Sequence, residues 1–371
     1  MDNESSLRYP IALTFIKGIG PISAKNLIAF FGSAEPIFNE SAHALEKIPN
    51  IGTSLANAIV SQREAALERA GTEMDYLQKQ HIRAIVYTDP DYPFRLKECD
   101  DAPIVIYYDG TISLNDGHFV SFVGTRTPTD YGKSWCYAMI EDLAVKLKNL
   151  VIISGLAYGI DITAHKAALK NHIPTIGVVA HGLDRIYPST HTPIGNKMAQ
   201  HGGIISEYPI GTKPDKPNFV QRNRIIAGMS DAIVIVESAA RGGALLTADA
   251  GNLYNRDVFA LPGRVGDLHS DGCNMLIKQN KALLIETSDD LIKIMNWEAT
   301  QPAAAQPTLF SSLSQDEQTI LMTLRKFDSI QINLLTIQLK WPVEKLFALL
   351  LEMEFKGLIR SLPGNVYQAI H

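Results

Sequence analysis

The sequence predicts an α/β protein: a Rossmann-like parallel sheet wrapped by helices, with a small helical domain before it and a three-helix module after it. Three observations carry this expectation. Between His81 and Met295 short apolar runs alternate with helix-length segments, as they do where parallel strands are buried on both faces. Residues up to about Gln80 hold no such runs, but they repeat a glycine turn followed by a helix. Finally, QPAAAQPTLFSSLSQ, from Gln301 to Gln315, has the aperiodic Pro, Ala, Gln and Ser composition of a linker. The expected domains are therefore 1–80, 81–297 and 314–371, with 298–313 as the linker.

Bulk properties fit this picture and narrow the chemistry. A chain of 371 residues exceeds one typical core. Its hydrophobic fraction of 46% and charged fraction of 20% are those of a globular protein. Cys99, Cys136 and Cys273 lie far apart without metal-ligand spacing, so neither a disulfide framework nor a zinc site is expected. A reducing cytoplasm is the matching compartment. The start, MDNESSLRYP, lacks the apolar run of a signal peptide, and no stretch approaches the roughly 18 apolar residues of a membrane span. A net charge of −5 argues against coating duplex DNA by bulk charge, but leaves a local basic patch open.

In the helical domain, Ile16-Lys17-Gly18-Ile19-Gly20-Pro21 and Ile48-Pro49-Asn50-Ile51-Gly52 each end one helix and begin another. They resemble helix-hairpin-helix turns, which offer free amides to a phosphate. Lys17, Lys25 and Lys47 give the domain little basic character, so compact packing alone is the better explanation. From His81 onward, HIRAIVYTD and PIVIYYDG read as strands around the loop DPDYPFRLKECDDAP. Further strands follow at HFVSFVG, LVIISG, PTIGVVA, GGIISEY, AIVIVES, DVFALPG and ALLIET, with helices such as Ile160–Asn171 and Gly243–Tyr254 between them. After the linker, Ser314 and Glu317 form a capping box. INLLTIQLK and VEKLFALLLEMEFKG then continue as helices, and LIRSLPGNVYQAI as a hairpin. That is a winged helix, yet its third helix carries Glu344, Glu352 and Glu354 and many leucines. Contact with a protein, or with the chain's own main domain, suits it better than duplex reading.

The strand ends converge on one sheet edge, where open α/β sheets bind ligands. The HFVSFVG strand delivers Gly124, Thr125 and Arg126, followed by Tyr131-Gly132 at a helix start. This is neither GxGxxG nor a P-loop, so no dinucleotide or triphosphate is signalled. What it offers is a glycine turn that opens a helix, beside an arginine able to grip one phosphate. The next strands bring SGLAYGID, with Asp161 as a helix cap, and His181, expected as a satisfied structural histidine. Lys213–Arg224 interleaves cations with an aromatic: Lys216, Phe219, Arg222 and Arg224, on an approach kept extended by prolines. Such a run holds single-stranded nucleic acid without reading its sequence. One of the two arginines is expected to pair internally with Glu207 or Glu237. Arg241, Gly242 and Gly243 add another glycine turn, and Lys278 a further cation. Several anion sites along one edge suit a phosphate polymer better than a mononucleotide, and no cofactor is called for.

GTRTPTDYG, SGLAYGID, QRNRIIAGMSD, ESAARGGALLTA, LPG and DGCNMLI together resemble the DNA-processing protein A family (DprA/Smf). The resemblance implies a non-enzymatic protein that binds incoming single-stranded DNA during natural transformation, protects it and helps load the RecA recombinase. It also implies a homodimer formed through the Rossmann domain. The family's loop glycine and arginine correspond to Gly124 and Arg126, and its aromatic-basic segment to Lys216, Phe219, Arg222 and Arg224. Several members have a DNA-binding lysine at the position of Tyr158; here stacking by Tyr158, or the charge of Lys278, would have to replace it. The alternative is a nucleotide-hydrolysing, phosphoribohydrolase-like enzyme; its glutamate before a Gly-Gly turn would be matched by Glu237 before Gly242-Gly243, with Glu207 assisting.

Overall fold

The computed structural model describes residues 2–299, 314–327, 329–362 and 364–369. The chain forms two compact units, 1–302 and 303–371. Most of the expected 298–313 linker lies outside the described residues.

Nine strands build the first unit's sheet: β1 (Arg83–Val86), β2 (Val105–Gly110), β3 (His118–Val123), β4 (Leu150–Ser154), β5 (Thr175–Val178), β6 (Gly202–Ser206), β7 (Ala232–Ile235), β8 (Asp257–Ala260) and β9 (Leu283–Leu284). Their order is β1-β2-β6-β5-β4-β3-β7-β8-β9. From β6 to β9 every pairing is parallel, as the apolar runs predict. The departure is at one end: β2 pairs antiparallel with β6, and β1 antiparallel with β2. These first two strands thus extend the sheet rather than merely leading into it. β9 is shorter than its apolar run, because an edge strand has a partner on one side only and both its residues are exposed.

The chain winds outward from β3 through β4 and β5 to β6, then crosses back to β7 beside β3 and winds the other way. The switch point is therefore between β3 and β7, where ligands of such sheets bind. Helices Lys216–Gly228, Ala244–Leu253 and Asp271–Lys278 cover one face with a core that includes Ile225, Leu245 and Leu276. Helices Asp130–Lys146, Ile160–Lys170 and Ser288–Ile294 cover the other, around Phe122, Ile140 and Ala164.

The N-terminal helices Asp2–Phe15, Pro21–Phe31, Ala42–Leu45 and Thr53–Gln80 do not stand apart from the sheet. Their core takes in Ile104, Val105 and Tyr107 at β2, and buried Glu73 accepts the Ile210 amide through both oxygens at 3.0 and 3.2 Å. At the first glycine turn Gly18 has φ 95°, but at the second the left-handed residue is Asn50 rather than Gly52. Asparagine tolerates that region better than other side chains do. Lys25 is committed within the unit: its ammonium donates to the Cys99 carbonyl at 3.1 Å and to that of Asp100.

The second unit packs helices Gln315–Leu324, Ile332–Leu339 and Val343–Phe355 on a small sheet of β10 (Ile330–Gln331), β11 (Ile359–Leu362) and β12 (Val366–Ala369). The Ser314–Glu317 capping box forms, with the Glu317 amide donating to Ser314 Oγ at 3.2 Å and the Ser314 amide to Glu317 Oε2 at 2.7 Å. Among the described residues no helix is long and apolar enough to cross a membrane.

Candidate nucleic-acid interface

β3 ends in a loop that is held rigidly from two sides. Thr125 donates its amide to the Glu237 carbonyl at 2.7 Å, and the Ile160 amide donates to the Thr125 carbonyl at 3.2 Å. Gly159 sits directly beneath with φ 85°, and a Cβ there would stand 2.1 Å from the Thr125 oxygen. Only glycine fits. The Glu237 side chain, 2% exposed, accepts the Thr129 amide at 2.8 Å and its hydroxyl at 2.5 Å. Gly132 allows this approach, since its Cβ would lie 2.4 Å from that carboxyl carbon. The helix N-terminus behind the loop was expected to receive a phosphate. Instead it already holds a carboxylate, which a helix dipole favours. The outward-facing feature of the loop is thus the Arg126 side chain.

Arg126 is exposed and makes no hydrogen bond or ion pair among the described residues. Its guanidinium carbon lies 5.3 Å from the Phe219 ring centroid. Phe219 comes from helix Lys216–Gly228, which corrects the expectation of an extended approach: the chain is helical from Lys216 on, with Pro217 in its first turn, where the missing amide costs nothing. Helical spacing places Lys216, Phe219 and Asn223 along one side. Gly124, Thr125, Arg126, Lys216, Phe219, Arg222 and Gly243 line one open hollow of about 560 Å³ at the β3/β7 switch point. Pro214, Val220 and Leu246 add apolar wall to it. The sequence gives these apolar positions no mark that separates them from core.

The same helix turns its two arginines inward. Arg222 is 3% exposed, and its Nη1 donates to the carbonyls of Gly155, at 2.6 Å, and Val178. It braces the ends of β4 and β5 beneath Phe219, at 6.0 Å from the ring. Burial pushes its guanidinium down to about 10, against the nearby Asp161 carboxylate, which favours the charged form. Arg224 pairs with Glu207 and donates to the Asp101 carbonyl at 2.7 Å, its side chain 16% exposed. The expectation that one arginine is committed internally is therefore exceeded. At 100° per residue, Arg224 stands about 140° around the helix from Phe219 and cannot share its face.

Other expected residues are also displaced from the hollow. Lys278 ends helix Asp271–Lys278, whose start meets the Ser238 carbonyl through Gly272 at 2.8 Å. At 1.5 Å per residue the lysine lies roughly 10 Å further along, toward the opposite edge. It does not line the hollow. Arg241 is exposed but does not line the hollow, and Gly242 packs so that a Cβ would meet Ser238 Oγ at 2.2 Å. Tyr158 is 48% exposed, its hydroxyl 3.2 Å from Thr190 Oγ1 and its ring edge-on to His191 at 4.9 Å.

The histidines of the edge are structural. His181, 1% exposed, donates from Nδ1 to the Gly182 carbonyl at 2.9 Å and accepts the Tyr187 amide on Nε2 at 3.2 Å, so it is held neutral. His165 bonds Thr175 Oγ1 through Nδ1 at 2.7 Å, and burial drives its pKa down to about 3.

Comparisons with known proteins agree over nearly the whole chain. The family model described as DNA recombination-mediator protein A matches residues 83–296, and that of the DprA winged helix domain matches 299–365. The chain is 31% identical to Protein Smf of Synechocystis sp., over 98% of this chain and 99% of that protein. It is 32% identical to the DNA processing protein DprA of Bacillus subtilis, over 79% and 98% respectively. Its fold is similar to the X-ray structure of DNA processing protein A from Streptococcus pneumoniae, with a TM-score of 0.62 at 30% identity, covering 77% of this chain and 97% of that one. It is also similar to DNA processing protein A from Helicobacter pylori, solved for its single-stranded DNA binding mode. That match has a TM-score of 0.52 at 30% identity, over 58% of this chain and 97% of that one.

Proposed function

We propose, from the premise that this chain belongs to the DNA recombination-mediator protein A family, that it binds single-stranded DNA along the hollow at the β3/β7 switch point. One observation carries the reading: Arg126 is an exposed, unpaired cation on a doubly clamped loop, set against the Phe219 ring. A phosphate can take the guanidinium while a base takes the aromatic face, with Lys216 on the same rim. This is sequence-independent recognition of a single strand.

The protein on this reading acts in the cytoplasm during natural transformation as a mediator without chemistry of its own. It shields incoming DNA and helps load a RecA-type recombinase. It works as a homodimer through the sheet domain; Leu253, exposed by 77% at the end of helix Ala244–Leu253 and outside the hollow, supports such a face. The glycoside-hydrolysing alternative is disfavoured by Glu237, whose two oxygens are both occupied by Thr129.

The test is binding of labelled oligothymidylate followed by fluorescence anisotropy across a salt series. Arg126→Ala weakens binding to all sequences alike and reduces the log–log salt slope by about 0.7, one single-strand phosphate contact. Unchanged affinity and slope would remove Arg126 from the interface. Free base released from nucleoside monophosphates, and lost in Glu237→Gln, would instead establish the enzyme.

A further inference from the structure

Beside the hollow stands an aromatic side chain that the function above does not use. Tyr187 is 46% exposed, and its hydroxyl bonds to no group among the described residues. Its ring centroid lies 5.8 Å from that of Phe219, at an interplanar angle of 51°. Rings so tilted do not cover one another, and Tyr187 keeps a bare surface next to the proposed stacking residue.

The backbone that presents Tyr187 is fixed. Its amide donates to buried His181 Nε2 at 3.2 Å. The loop after β5 is tied to the loop after β6 by the Gly182 amide on the Thr212 carbonyl, at 3.2 Å, and by the Gly211 amide on Asp184 Oδ1, at 3.1 Å. Gly182 permits the closeness, since a Cβ would stand 2.4 Å from the Pro209 carbonyl oxygen. The loop after β6 runs on into helix Lys216–Gly228, which carries Phe219. The two rings therefore belong to one cross-linked platform, and their separation is set by the fold. The nearest exposed cation on its loop, Arg185, is already paired with Asp184. The surface beyond Phe219 thus offers π-faces rather than phosphate grips.

We propose that Tyr187 is a second base-stacking position, so that the protein holds two adjacent unstacked bases of a single strand on Phe219 and Tyr187. The inference rests on the reading that the hollow binds single-stranded DNA. The strand passes with one phosphate at Arg126, one base on Phe219 and its neighbour on Tyr187.

Full-length protein and labelled oligothymidylate, measured by anisotropy, test it with Tyr187→Ala, Tyr187→Leu, Tyr187→Phe and Arg126→Ala. Stacking on one aromatic corresponds to roughly 5- to 150-fold in affinity. Tyr187→Ala and Tyr187→Leu lose binding in that range, Tyr187→Phe stays within about twofold of wild type, and none of the three changes the salt slope. Leucine fills the same space without a π-face, so rescue by phenylalanine alone separates stacking from packing. Wild-type affinity in Tyr187→Ala, or equal rescue by leucine, overturns the proposal while a weakened Arg126→Ala keeps the groove reading intact. If wild type itself fails to bind the oligonucleotide, the groove reading falls and takes this one with it.

Discussion

Arg126 and Arg224 carry the same charge and face opposite fates. Arg126 is free beside Phe219, whereas Arg224 is locked between Glu207 and Asp101. Removing one partner of a buried pair leaves an uncompensated charge, so Arg224→Ala lowers unfolding free energy by about 3–5 kcal/mol. A denaturant titration reads this loss, and the salt slope of DNA binding in the folded variant stays at the wild-type value. A reduced slope would return Arg224 to the interface. His165 gives a second residue-scale expectation. Its folded pKa lies near 3 because the ring is buried, with the Arg222 guanidinium adding to the effect, while an unfolded histidine titrates near 6.5. Between these values the unfolded chain binds a proton that the folded chain does not. The stability this group contributes is therefore present above about pH 6.5 and is lost as pH falls toward 3. His165→Leu shows a smaller drop in Tm between pH 7 and pH 5 than wild type does; an equal drop would place the acid sensitivity elsewhere.

At the scale of elements, the loop after β3 depends on a neighbour from another strand. Gly159 lies against Thr125 and Arg126 with φ 85°, and a side chain there is strained whatever its size. Gly159→Ala costs about 1–3 kcal/mol for the backbone alone. It also displaces the loop, so single-strand affinity falls together with thermal stability; retention of both would show that the clamp is dispensable. The third helix of the winged-helix unit illustrates the reverse case. Val343, Phe347, Leu351 and Phe355 recur every four residues and are 41%, 52%, 48% and 86% exposed. Its cation Lys356 pairs with Glu317 and Glu352, and Lys345 pairs with Asp316. Such a helix lacks the free cations that approach phosphates.

For the whole molecule, the proposed DNA hollow is lined wholly by residues of the first unit. A chain ending at Pro307 keeps its affinity for oligothymidylate within about twofold, as measured by anisotropy; a larger loss would assign DNA contact to the second unit. On the homodimer proposed above, Leu253→Glu places a charge at the exposed end of helix Ala244–Leu253 and shifts the mass read by light scattering from dimer to monomer. An unchanged mass would put the dimer face elsewhere.

The sequence alone determined most strand positions, the N-terminal helices, the winged helix and the sheet edge at which the proposed site lies. Apolar runs, glycine turns and a capping box are local patterns, and local backbone physics enforces them. It also singled out Arg126, Lys216 and Phe219, because a cation on a glycine loop and an aromatic among cations are visible in a few adjacent letters. Which cations stay free was decided only by the tertiary structure. Arg222 is bound by Gly155 and Val178, Arg224 by Glu207 and Asp101, and Lys25 by Cys99 and Asp100, partners brought near by sheet order rather than by spacing. Tyr187 is invisible to a sequence reading for the same reason. An isolated tyrosine before a proline carries no signal until two cross-linked loops set it beside Phe219.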